Sequence, residues 1–193
     1  SEQMGVVALL TAMFVGLFSL TNLGFDRYLV YSEHVSERLD SEVHAIWILQ
    51  LGRGILIILI SLASGYFINN LTSFGIDITY HLMGIGVALF IYNLANPYVV
   101  LKERSRNYNV IAKLKAASIG SGALSMVLLL QVFKDPWVYV IGQIINTAIH
   151  SLLSYYYSNK KPKVLFDKQI MSDVWKYCKH FLILSAVIFV NNY

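Results

Sequence analysis

One cysteine, three prolines and little charge set this chain of 193 residues apart from an ordinary soluble domain. With Cys178 alone, no internal disulfide and no cysteine-based metal cluster can form. No two histidines stand at metal-ligand spacing with a carboxylate in support, so neither a metal nor another cofactor is expected. Charged residues make up 13% of the chain, where soluble domains carry about 25%. The chain also has no G-x-S-x-G, no H-E-x-x-H and no phosphate-binding glycine loop, and so no recognisable catalytic centre. Alternating segments of about ten residues, the mark of a transmembrane barrel, are missing too.

What is present is long apolar runs. Hydrophobic residues make up 56% of the chain, and crossing a bilayer takes about 20 mostly apolar residues as a helix. Five runs qualify: Met4 to Leu23, Ala45 to Ile68, Ile78 to Leu101, a fourth centred on Ala116 to Phe133 and starting near Tyr108, and Trp137 to Tyr157. A sixth starts near Phe181 and is cut short at Tyr193. Backbone groups in lipid must be satisfied within their own segment, so these runs predict helices. The predicted class is therefore an all-α polytopic transmembrane bundle of five complete spans and a truncated sixth. The start at Ser1 and the stop within an apolar run suggest a piece of a longer protein.

Fourteen of the fifteen Lys and Arg residues fall on one side of these spans, and only Lys134 falls on the other. By the positive-inside rule the three longer connections are cytoplasmic and the two short loops face outward. Trp47, Trp137, Tyr66 and Tyr155 to Tyr157 lie near span ends, as interfacial aromatic belts do. The net charge of +4 sits beside helix ends, where it serves topology, so no nucleic-acid partner is expected. The outer-side carboxylates Glu2, Asp77 and Asp135 are in separate segments, which leaves an acid/base pair unsupported. Asn70-Leu71-Thr72 forms a glycosylation sequon of little specificity in the outer loop.

Polar residues inside the spans avoid lipid and face a bundle interior or a wet cavity. Gln143, Asn146, His150 and Ser154 recur at increments of 3, 4 and 4 on one face of the fifth span. Gln50, Arg53, Ser61 and Ser64 mark a face of the second, and Gly86, Asn93 and Asn96 one of the third. Ser19 and Asn22 end the first, with Asp26 just beyond. Single polar faces are met by ordinary interhelical hydrogen bonds. Four together favour a shared hydrophilic interior.

Arg53 lies about 12 Å beyond Ala45 along its helix, and an arginine at helix centre costs about 2.5–3.5 kcal/mol on insertion scales. Two compensations stand open: snorkelling or a structural partner, and an anionic ligand for which the planar guanidinium fork suits phosphate. Gly52 and Gly54 flank it and would leave it room. His150 reads either as a cavity residue or as a satisfied helix histidine; His81 is near the outer interface, and His34, His44 and His180 lie on cytoplasmic segments. Asn96-Pro97 should kink the third span near its cytoplasmic end. Ser118 with Gly122, and Ser121 with Ser125, would let the fourth span approach a neighbour closely.

Several ordered pieces resemble a known family. EQMGVVAL, LGFDRYLVYSEHVSERLDSEVHAIWILQLGRG, WVYVIGQIINTAIHSLLSYY and KKPKVLFDKQIMSDVWKYCKHFLILS are similar to segments of the polysaccharide transporter, or oligosaccharide (O-antigen) flippase, family. That family lies within the superfamily of multidrug and oligosaccharidyl-lipid exporters. The resemblance implies two lobes of six helices each, in the manner of parallel-repeat transporters. Residues 1–159 would be helices of the N-terminal lobe, and residues 160–193 a basic linker with the start of the second lobe. It implies a multi-pass protein of the bacterial inner membrane that moves an undecaprenyl-pyrophosphate-linked oligosaccharide to the periplasmic leaflet for O-antigen, lipopolysaccharide or exopolysaccharide synthesis. Its partners would be that substrate, the bilayer and other polysaccharide assembly proteins. In this setting Arg53 is a candidate for the pyrophosphate, and Gln50, Asn93, Asn96, Gln143, Asn146 and His150 are candidates for the remaining cavity contacts. A cation-coupled drug exporter, a membrane polymerase or ligase, and a scaffold are the rivals. The first wants carboxylates within the spans, the second a large outer loop with Arg and His groups, and the third would not need several polar faces.

Overall fold

The structure is a computed structural model that describes residues 2–21, 23–32, 36–71 and 77–192, the side chains of 2, 3, 20, 36, 37 and 182–192 being left aside. Every regular element among the described residues is helical. Asn22 and the sequon's Thr72 lie outside the described residues.

Helix α1 (Glu2–Leu20) leads to a short α2 (Phe25–Tyr31), which starts at Gly24 with φ of 64°. A side chain at Gly24 would be strained by that φ, and its Cβ would stand 2.6 Å from the Phe181 ring. Helix α3 (Ser36–Leu71) has 36 residues and is about 54 Å long, well beyond a hydrocarbon core of about 30 Å. The sequence pattern places the start of this span at Ala45. The helix instead begins in the polar connection, because Glu42 is fully buried there and accepts from Tyr28 Oη at 2.9 Å and from Arg38 Nε at 3.3 Å.

Asp77 opens α4 (Ile78–Asn93) by accepting from the Thr79 N–H at 2.9 Å. The helix breaks at Leu94, then a 3₁₀ turn (Pro97–Val100) and α5 (Leu101–Arg104) leave at 63° to it. Asn96-Pro97 thus produces a sharper feature than the kink expected. Helices α6 (Tyr108–Leu130) and α7 (Trp137–Tyr157) follow the predicted limits. Asp135 caps the turn into α7 by accepting from the Trp137 N–H at 2.8 Å. Helix α8 (Lys168–Asn192) starts well before Phe181, since Asp167 accepts from the N–H groups of Gln169 and Ile170.

The helices pack with α4 central, flanked by α3 and α7, while α6 lies against α7 and α1 against α4. Between helices in lipid there is no hydrophobic driving force, so close packing carries association. Val6 and Leu10 of α1, Ile57 of α3, Leu82, Ile85 and Leu89 of α4 and Val140 of α7 form the main core. Small residues set the approach distances. A Cβ on Gly86 would meet Ser61 Oγ at 2.8 Å, and one on Gly122 would meet Asn146 Cβ at 2.7 Å. Ser118 and Gly122 are both buried against α7, as their spacing suggested. Outward, Leu59 is 58% exposed and Ile119 63%, a surface suited to acyl chains rather than water.

By length and hydropathy α3 and α6 are each long and apolar enough to cross a bilayer, and α4 passes the same test together with its bent continuation, as a broken span or a re-entrant loop. The apolar part of α1, Met4–Ser19, is shorter. Helix α7 has 21 residues but falls below that hydropathy, because Gln143, Asn146 and His150 dilute it. The chain is a helical membrane protein.

Candidate functional site

The break in α4 is where the site forms. A cavity of about 140 Å³ opens beside Ala95, Asn96 and Pro97, with Lys115 also on its wall. Phe18 of α1, Phe25 and Asp26 of α2, Gln50 and Arg53 of α3, and Tyr92 of α4 line one part of it. Glu103 of α5, Ile111, Leu114 and Lys115 of α6 and His150 of α7 line the rest.

Arg53 is held in place rather than left to snorkel. Its Nε donates to Asn93 Oδ1 at 2.7 Å, and its Nη1 donates to the Thr21 carbonyl at 3.3 Å. The guanidinium also lies 5.9 Å from the centre of the Phe25 ring. Asn93 is itself oriented, since its Nδ2 donates to the Leu89 carbonyl at 2.7 Å. Gly54 brings Asn93 near: a Cβ there would stand 3.2 Å from Asn93 Cβ and 2.8 Å from the Phe90 ring. The glycine therefore makes room for α4, and not for the guanidinium as its position beside Arg53 suggested. Nη2 makes no hydrogen bond to any described residue, so part of the fork remains available.

The charges around Arg53 balance. Arg53 and Lys115 are cationic, and Asp26 and Glu103 are anionic. Asp26 lines the cavity as an exposed residue. Desolvation by the neighbouring protein still pushes its carboxyl above the usual carboxylate range. Arg53 and Lys115 pull it down, and Glu103 pushes it up.

Two buried polar atoms of residues that line the cavity, Gln50 Oε1 and His150 Nδ1, have no hydrogen-bond partner among the described residues. Such atoms cost about 1–3 kcal/mol when unmet, so they mark where water or a ligand belongs. His150 is fixed by stacking on Tyr92, with ring centres 4.6 Å apart. Tyr92 in turn meets Phe18 edge-on at 5.3 Å.

The remaining candidates go elsewhere. Asn96 is fully buried, and both ends of its side chain are engaged. Its Oδ1 accepts from the Tyr98 N–H at 3.0 Å, and its Nδ2 donates to the Lys160 carbonyl at 2.8 Å. It borders the cavity, but its buried side chain acts as the joint of the break. Gln143 and Asn146 do not line the cavity. Asn146 donates to Gln143 Oε1 at 3.4 Å and packs on Gly122 of α6. Ser154 accepts from the Asn96 N–H at 2.7 Å. The polar face of α7 therefore divides between the α6 contact, the α4 break and the cavity, which takes only His150. Sequence reasoning missed Tyr92, Glu103 and Lys115. Asp26 had been noted only as the polar residue following the first span.

These features sit on a chain whose whole length, residues 1–193, matches the sequence model of one family, described as polysaccharide biosynthesis protein. The chain belongs to that family. No curated protein and no solved structure matches it. Membership gives polysaccharide biosynthesis or export as the setting of the cavity, and agrees with the resemblance seen in the sequence.

Proposed function

We propose that the chain is the N-terminal part of a flippase that carries an undecaprenyl-pyrophosphate-linked oligosaccharide from the cytoplasmic to the periplasmic leaflet of the bacterial inner membrane. In this reading all five apolar runs cross the bilayer and the sixth begins a further lobe. The observation that carries it is a cavity at the break of α4 that combines an oriented arginine fork with two unmet polar atoms.

Size decides which part of the substrate fits. Drug-sized ligands take pockets of about 300–1,000 Å³, and about 140 Å³ admits a phosphate-sized group rather than a saccharide. The diphosphate end would therefore engage Arg53 and Lys115, with an adjoining hydroxyl or amide reaching Gln50 and His150. Saccharide beyond it would meet the other lobe. A wet, charged cavity replaces hydration that hydrocarbon cannot supply. The cation-coupled exporter could use Asp26 and Glu103, but the oriented Arg53 fork beside them suits an oxyanion better than a cationic drug.

In the full-length protein, Arg53→Ala is expected to cut transport of lipid-linked oligosaccharide at least about tenfold, the loss of one charge-assisted hydrogen-bond pair, with protein abundance unchanged. Transport at the normal rate would remove Arg53 from the substrate path.

A further inference from the structure

We infer that the connection between α7 and α8 is an interfacial anchor. Its Val164-Leu165-Phe166 triplet enters the bilayer surface while Lys161, Lys163 and Lys168 engage anionic lipid headgroups. This depends on the chain being a membrane protein, and not on what the cavity binds.

Residues 158–167 form no helix, yet they are tied to the bundle at fixed points. The Lys160 carbonyl accepts from Asn96 Nδ2 at 2.8 Å, and the Lys160 ammonium pairs with Asp40 of α3. Three residues on, the Lys163 N–H donates to His44 Nδ1 at 3.2 Å. Asp40 and His44 are one turn apart on α3, so between these ties the segment moves about 6 Å along that helix. The direction is toward lipid, because His44 immediately precedes the apolar run that starts at Ala45. The Leu165 N–H then donates to the Lys163 carbonyl at 3.1 Å in a tight turn, and Asp167 caps the start of α8. Helix α8 is held at the same level, since its Val174 and Cys178 pack with Ile46. The turn at 164–166 therefore sits where an apolar helix meets the headgroups.

At that depth the turn presents apolar surface. Val164 is 62% exposed, Leu165 52% and Phe166 73%, so the described residues leave all three largely uncovered. Three consecutive apolar side chains in the open are a fault in a fold unless something is meant to cover them. Their flanks decide the cover. Lys161, Lys163 and Lys168 are exposed, and no carboxylate of the described residues lies within ion-pair distance of them, whereas Lys160 is committed to Asp40. Asp167 is the one carboxylate inside the segment, and its Oδ1 is turned to the N–H groups of α8. Asp173, further along α8, is taken up by Arg38 and Lys176. A cationic surplus thus surrounds the triplet. An apolar protein groove would have to bury or strand those ammonium groups. An anionic leaflet satisfies both kinds of group at once, with apolar side chains and lysine stems below and the charges above.

The test places a probe on the turn of the full-length protein. Phe166→Cys, with the other cysteines replaced by serine, is labelled with an environment-sensitive fluorophore. It is studied in nanodiscs of phosphatidylcholine with or without about 30% phosphatidylglycerol, the lipids carrying bromine at chosen chain depths. In anionic nanodiscs the probe is expected to shift to the blue and to be quenched most by bromine near the headgroups. Quenching should be weaker in neutral nanodiscs, and added salt should weaken it in anionic ones. Changing Lys161, Lys163 or Lys168 to Gln should lower the ratio of inserted to withdrawn probe about fivefold each. Those side chains are exposed, so the variants alter the charge and leave the fold intact. Equal quenching by neutral and anionic lipid overturns the inference, and so does a probe that stays in water in both. A blue-shifted probe that no brominated lipid quenches would show protein covering the turn, and would overturn it equally. None of these results touches the diphosphate reading of the cavity.

Discussion

Asn93 shows how a single residue can determine the behaviour of its neighbour. Its amide carbonyl fixes the Nε edge of Arg53, and its own Nδ2 is tied to the Leu89 carbonyl, so the guanidinium is presented in one orientation. Interhelical hydrogen bonds of this kind average about 0.6 kcal/mol in membrane bundles, with a maximum near 1.7. Asn93→Ala should lower the unfolding free energy of the full-length protein by about that amount, and should lower transport by more than the stability change alone explains. A stability loss with unaltered transport would make Asn93 packing material only. Arg53 itself was legible from its place in an apolar run, because an unmatched cation there demands a partner. Which partner was not legible: Asn93 stands forty positions away, and only the approach of α4 at Gly54 brings it near.

Among the elements, the break in α4 has the largest consequence. Asn96-Pro97 announces it in the sequence, since proline lacks an N–H and disfavours helix in the residue before it. Two of the hydrogen bonds that hold the 63° bend reach far along the chain, from Asn96 to Ser154 of α7 and to the Lys160 carbonyl, and a third is local, from the Tyr98 N–H. Removing two side-chain bonds worth about 0.5–1.5 kcal/mol each, Asn96→Ala should destabilise the protein by about 1–3 kcal/mol in a denaturation series. It should also weaken pyrophosphate binding by loosening the wall. Unchanged stability would show that the backbone alone sets the bend. Helices α3 and α8 were read too short at their starts. Their first turns are polar, and buried or capping carboxylates at Glu42 and Asp167 hold them where hydropathy gives no signal. The stripe on α7 misled for a related reason. Periodicity identifies a face, but Asn146, His150 and Ser154 meet three different surroundings along the length of one helix.

At the scale of the whole molecule, scarcity of charge, apolar runs and the one-sided distribution of cations established a helical membrane protein before any coordinates. They could not show that Glu103 and Lys115 return to Arg53, because the turning of the chain after Asn96 is a tertiary event. The cavity also lies at the break of α4 rather than running the length of the bundle, and it is small. If the cavity takes a lipid-linked diphosphate as proposed, recognition is concentrated on the charged end of the substrate, and different saccharides on the same diphosphate should be accepted.

The most direct measurement is the reactivity of single cysteines in a Cys178→Ser background of the full-length protein. A cysteine at His150, on the cavity wall, is predicted to react with a water-soluble thiol reagent applied from the cytoplasmic side, and pyrophosphate should slow that reaction. A cysteine at Asn146, packed against Gly122, should stay as protected as one at lipid-facing Leu128. An unreactive position 150, or one indifferent to pyrophosphate, would contradict a wet oxyanion cavity beside Arg53.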